Sequence, residues 1–160
     1  MYFDTHAHYD SGAFNADRKE LLASMPQKGV ELIVNPGCDL ESSRTAVALA
    51  EEFSHVYAAV GVHPSDCGEW GEGTLLELRQ LASRPKVRAI GEIGLDYYWK
   101  NNPPRALQQK DVYKRQHHFR GRVSGKWRLS RRIGRLHDPW TSCTGGAEIG
   151  IVLLHFHNLY

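Results

Sequence analysis

Cysteine is scarce in this chain. Only Cys38, Cys67 and Cys143 occur in 160 residues, odd in number and widely spaced. That pattern excludes a disulfide framework and a Cys-x-x-Cys zinc module, and it suits a reducing compartment. Long apolar runs are also missing: no stretch of about 18 apolar residues is present, so no membrane-spanning helix is expected. Met1 leads straight into Tyr2-Phe3-Asp4-Thr5-His6 with no basic and apolar leader visible, and a cytoplasmic location without membrane association is the expectation. What remains is an ordinary globular composition, 41% hydrophobic and 24% charged, in a chain long enough for one domain with a real core.

Acidic residues are nearly absent from one end only. Residues 1–109 hold 10 Lys and Arg against 15 Asp and Glu, whereas residues 110–160 hold 10 against 3. A net charge of −5 thus gives way to +7. Such a split fits a basic nucleic-acid arm on an acidic domain, and equally two stretches that were never selected together.

Strands and helices alternate over the first 109 residues. A strand over residues 2–6 precedes a helix over 16–25. The apolar run "VELIVNPG" reads as a buried strand. Asp39 is the expected N-cap of "LESSRTAVALAEEF", where Ala46, Leu49, Ala50 and Phe53 share a face. "VYAAVGVHP" is a third strand and "GTLLELRQLAS" a third helix, with Thr74 as N-cap and Glu77 at capping-box spacing. "VRAIGEIGLDYYW" is a fourth strand running into a loop. Strand starts 25 to 30 residues apart, with helices between, mark βα units on a parallel sheet. After Gln109 this cadence stops, and only "EIGIVLLHFH" has strand character.

In parallel α/β folds chemistry collects at the C-terminal ends of strands. His6 and His8 fall at the end of the first strand, His63 at the third and Glu92 in the fourth. Residues i and i+2 of an extended chain point the same way, so His6 and His8 can offer two nitrogens to one cation. Glu92, between Gly91 and Gly94, is placed to add a carboxylate, although taken alone it reads rather as a loop cap or an arginine partner. His63, held extended by Pro64, suits either a hydrogen bond to substrate phosphate or a structural one. Asp96 and Tyr97 fit loop anchoring better than substrate contact. His55 lies at the opposite end of its strand and is assigned no role. Imidazole and carboxylate donors suit divalent ions of the Mg, Zn or Mn type, one or two of them.

"FDTHAHYD", "GVHP" and "IGEIGLDYY", in this order and spacing and followed by "NNPPRALQQ", resemble the TatD family of metal-dependent deoxyribonucleases. The resemblance covers residues 1–109. It implies an α/β fold, the N-terminal half of a TIM-type (β/α)8 barrel. It implies His6 and His8 as metal ligands, Glu92 as a catalytic carboxylate that bridges metals, and His63 as a substrate-side residue. The implied reaction is hydrolysis of DNA phosphodiester bonds, as a 3′-to-5′ exonuclease. Later strands ending in further histidine and aspartate ligands are not recognisable. His155 and His157 follow an apolar run, but their surroundings do not match and no ligand role is given to them. Residues 110–160 read as a frameshifted or misassembled continuation. An inactive fragment, or a basic nucleic-acid-binding module without catalysis, is the alternative.

Overall fold

The computed structural model describes residues 1–68, 71–119 and 151–157. Its elements, in chain order, are β1 (Tyr2–Asp4), α1 (Arg18–Ser24), β2 (Val30–Pro36), α2 (Leu40–Glu52), β3 (Val56–Val60), α3 (Glu72–Ala82), β4 (Val87–Asp96), α4 (Arg105–Phe119) and β5 (Ile151–His157). Short 3-10 turns lie at Gly12–Phe14, Pro26–Lys28 and Pro64–Asp66. The five strands form one sheet in the order β1-β2-β3-β4-β5, every neighbouring pair parallel. Consecutive strands lie side by side without a switch point. That singly wound order belongs to barrels, whereas doubly wound sheets reverse at a central crevice.

Alternation along the strands separates two apolar faces. Ile33, Val56, Ala58, Val60 and Ile90 pack with Ala46, Val47, Leu49 and Ala50 of α2 and Leu78 of α3. Leu32, Val34, Tyr57, Ala59 and Ala89 form a smaller cluster on the other face. Asp39 caps α2 as the sequence predicts: its side chain accepts from Ser42 N at 2.7 Å, and Ser42 Oγ accepts from Asp39 N at 2.9 Å. Thr74 differs from expectation. Gly71 is the N-cap of α3, and Thr74 lies three residues inside it, its hydroxyl accepting from Gly71 N at 3.3 Å. The glycine has no side chain to cap with, which leaves only the threonine's reciprocal half of the capping box.

Residues around Gln109 also depart from the sequence pattern. α4 runs on to Phe119, and β5 lies parallel to β4 with Ile93 opposite Leu154. Gln108 locks α4 to the end of β4. Its side chain is buried, accepts from Asp96 N at 2.9 Å, and donates to Asp96 O at 2.9 Å and Pro103 O at 2.8 Å. Asp96 is therefore a loop anchor, as expected. Among the described residues, no helix is long and apolar enough to cross a membrane.

Candidate metal centre

β1 ends at Asp4, two residues short of the first histidine. The chain nevertheless stays paired to β2, because Ala7 N donates to Val34 O at 3.1 Å. That extended contact turns the flanking His6 and His8 to one side of the segment. Their Nε2 atoms lie 3.1 Å apart. Glu92, 4% exposed in the middle of β4, brings Oε1 to 3.4 Å from His6 Nε2. One ligand atom from each of the three residues lies within 4.8 Å of the other two.

These separations suit a cation. Metal–ligand bonds of about 2.0–2.1 Å, meeting at roughly 90° to 110°, put ligand atoms about 2.9–3.4 Å apart. Two neutral imidazoles at 3.1 Å otherwise need a proton on one facing nitrogen. The donor set of two nitrogens and a carboxylate oxygen is one that zinc, manganese or iron accepts. His6 and His8 are each more than a third exposed, so the cluster is open to solvent on one side. Beside it a groove of about 410 Å³ is walled by the apolar Ala7, Tyr9, Phe14, Leu21 and Met25.

Three residues not singled out in the sequence complete the surroundings. Asp10 Oδ1 lies 3.7 Å from His8 Nδ1, on the far side of the ring from His6. The facing Asp10 carboxylate raises the His8 imidazole above its ordinary value, against the desolvation of a half-buried ring, with Glu92 adding to the rise. Burial works to raise the Asp10 carboxyl, but the facing His8 imidazole and the hydrogen bond from Asn35 bring it below the usual carboxylate value. Cys38 directs Sγ to Glu92 Oε2 at 3.1 Å. Burial, then the adjoining Glu92 carboxylate, push the Cys38 thiol far up, so at neutral pH it is a protonated donor. Asn35 underlies Asp10. An amide within the apolar run "IVNP", and an aspartate two residues beyond His8 in "HAHYD", were the signals on which these residues could have been found.

His63 is not one of the three clustered residues. Its backbone N–H donates to Cys38 O at 2.6 Å, and its Nδ1 accepts from Ser65 N at 3.2 Å, capping the Pro64–Asp66 turn. His155 lies on β5, opposite Gly94 in register, and its side chain falls outside the described residues.

A singly wound parallel sheet that brings two imidazoles just past its first strand against a carboxylate of its fourth is the first half of a TIM-type barrel. The model of the family "TatD related DNase" matches residues 3–119, and the chain belongs to that family. The metal-dependent hydrolase YabD of Bacillus subtilis is 38% identical over 116 residues, covering 72% of this chain and 45% of YabD. The 3'-5' ssDNA/RNA exonuclease TatD of Cronobacter turicensis is 39% identical over 95 residues, 59% of this chain and 36% of that protein. The crystal structure of YjjV, a TatD homologue of Escherichia coli, superposes with a TM-score of 0.65 at 34% identity, covering 73% of this chain and 46% of YjjV. The chain thus spans less than half the length of the relatives it matches.

Proposed function

We propose that His6, His8 and Glu92 hold a divalent cation in a hydrolase that cleaves DNA phosphodiester bonds, progressing from the 3′ end. The convergence of the three donor atoms within 4.8 Å carries this reading. It is supported by relatives named as a metal-dependent hydrolase and as a 3'-5' ssDNA/RNA exonuclease. A bound divalent cation supplies Lewis acidity toward phosphoryl oxygens and a water of lowered pKa. The chain's own groups do the rest. His6 and His8 present imidazole nitrogens from one segment. Glu92 offers Oε1 to the cluster while Cys38 holds its other oxygen, and this carboxylate is the group that would bridge the metals where two bind. His63, at the mouth of the neighbouring strand, is the candidate for a substrate phosphate. The groove beside the histidines gives a sugar or base an apolar wall.

Of the basic stretch that begins at residue 110, the part beyond the family match, residues 120–160, is proposed to be a continuation read out of frame, in which case the remaining ligands of the parent site lie outside the matched part. The test is substitution of both histidines by alanine, with Mn²⁺ affinity by calorimetry and release of nucleotides from single-stranded DNA as readouts. Loss of both is expected. Parental activity at saturating Mn²⁺ in the double variant overturns the assignment.

A further inference from the structure

β2 contributes none of the three donors, yet its C-terminal end reaches the back of one of them. Asn35, the penultimate residue of that strand, is fully buried, and its amide is satisfied on both sides. Oδ1 accepts from Tyr9 N at 2.7 Å and from Asp10 N at 3.3 Å. Nδ2 donates to Asp10 Oδ1 at 2.7 Å and to Pro36 O at 3.3 Å. The same Asp10 Oδ1 faces His8 Nδ1 at 3.7 Å, and the opposite nitrogen of that ring points at His6. A line of contacts therefore runs from Asn35 through Asp10 to the nitrogen proposed to meet the cation.

We infer that Asn35 is a positioning residue for the metal centre: by orienting the Asp10 carboxylate against His8 Nδ1, it keeps the ring proton on Nδ1 and leaves Nε2 as the donor. This rests on the reading of the site given above. A residue that merely tied the loop at Tyr9 and Asp10 to the sheet would need only its acceptor, since Oδ1 alone receives both backbone N–H groups. Asn35 also places a donor on the carboxylate, and that carboxylate faces the ring. Partners behind a ligating histidine set its tautomer and ring orientation, and losing them typically costs about 10- to 100-fold in metal affinity.

Two variants of the full chain test the inference, Asn35→Ala and Asp10→Asn. The second keeps both backbone N–H contacts and a carbonyl for Asn35 Nδ2, removing only the negative charge behind His8, so it stands if the first fails to fold. The tautomer of His8 is read by long-range ¹⁵N–¹H correlation NMR in metal-free protein at alkaline pH, and Mn²⁺ affinity by calorimetry. The expected result is a predominant Nδ1–H form in the parent, a mixture of tautomers in Asp10→Asn, and a loss of about 10-fold or more in Mn²⁺ affinity. Parental tautomer and affinity in Asp10→Asn overturn the positioning role while leaving the site intact. A parent chain that binds no Mn²⁺ overturns the reading of the site, and the role of Asn35 falls with it.

Discussion

Gly61 tests whether the position of Glu92 depends on close approach of two backbones. It follows β3 in "AAVGVHP", and a Cβ built on it comes within 2.6 Å of the carbonyl oxygens of both Gly91 and Glu92. The Gly91 carbonyl carbon is nearer still, at 2.4 Å; ordinary contact begins near 3.4 Å, so Gly61→Ala forces the two segments about 1 Å apart. Neither can yield by turning a side chain, because the atoms are backbone. On the other side Ser43, fully buried on α2, holds Gly61 through its hydroxyl, 3.2 Å from both Gly61 N and Gly61 O. Glu92 N is itself tied to Gly37 O at 3.2 Å. A hydrogen bond of this length stretched by about 1 Å is lost. Overpacking of about 1–3 kcal/mol and one broken backbone bond at about 0.5–1.5 kcal/mol give a destabilisation of roughly 2–4 kcal/mol. Equilibrium urea unfolding measures it, and Mn²⁺ calorimetry on the folded fraction follows the displaced carboxylate. Gly73→Ala is the control: it lies in α3 with no heavy atom within 4 Å of the added carbon, and a gain of about 0.5–1 kcal/mol is expected there. Gly61→Ala with parental stability within about 0.5 kcal/mol and unchanged Mn²⁺ affinity would refute the close-approach reasoning.

Two shorter predictions follow. Cys38→Ala removes the donor on Glu92 Oε2 and is expected to weaken Mn²⁺ binding severalfold, while Cys38→Ser keeps a hydroxyl there and falls between alanine and the parent; equal affinities across the three proteins would remove Cys38 from the site. Coding DNA read in all three frames from codon 100 to codon 120 and onward is expected to show, in another frame, a strand ending in histidine and a later acidic ligand; continuous family-like sequence in no other frame would make the basic segment genuine.

The helices and strands before residue 109 were legible because each carries its own local signal. Asp39 with Ser42 marks one helix start, and runs such as "ELIV" and "YAAV" mark buried parallel strands. His6 and His8 were legible for a similar reason, since extended backbone alone makes alternate side chains neighbours, even where the regular strand has ended. Thr74 misled because a threonine reads as a cap whether it lies at the cap or three residues inside, and the choice turned on a glycine with no side chain to announce it. Asn35 and Cys38 were hidden for a different reason. Their parts depend on residues 25 and 54 positions away, which no local period records. The continuation of α4 past Gln109 was missed because its segment has no apolar stripe to set a helical period.

The three-residue cluster also reports the shape of the sheet that builds it. His6 leaves β1 and Glu92 lies on β4, so three interstrand gaps separate them. At about 4.8 Å per gap a flat sheet would hold their backbones some 14 Å apart. Their ligand atoms nevertheless stand 3.4 Å from one another. Side-chain reach spans part of that distance, and curvature toward the face bearing both residues supplies the rest. Small residues line this part of the sheet: Ala59 on β3 and Ala89 on β4 are buried together on one face, and Gly61 admits the backbone of Gly91 and Glu92. Bulkier residues at those positions would hold the strands apart and open the cluster. The "AAVG" and "RAIGE" segments thus belong to the candidate metal centre as much as its histidines, since they let four strands bend far enough to bring the first and the fourth together.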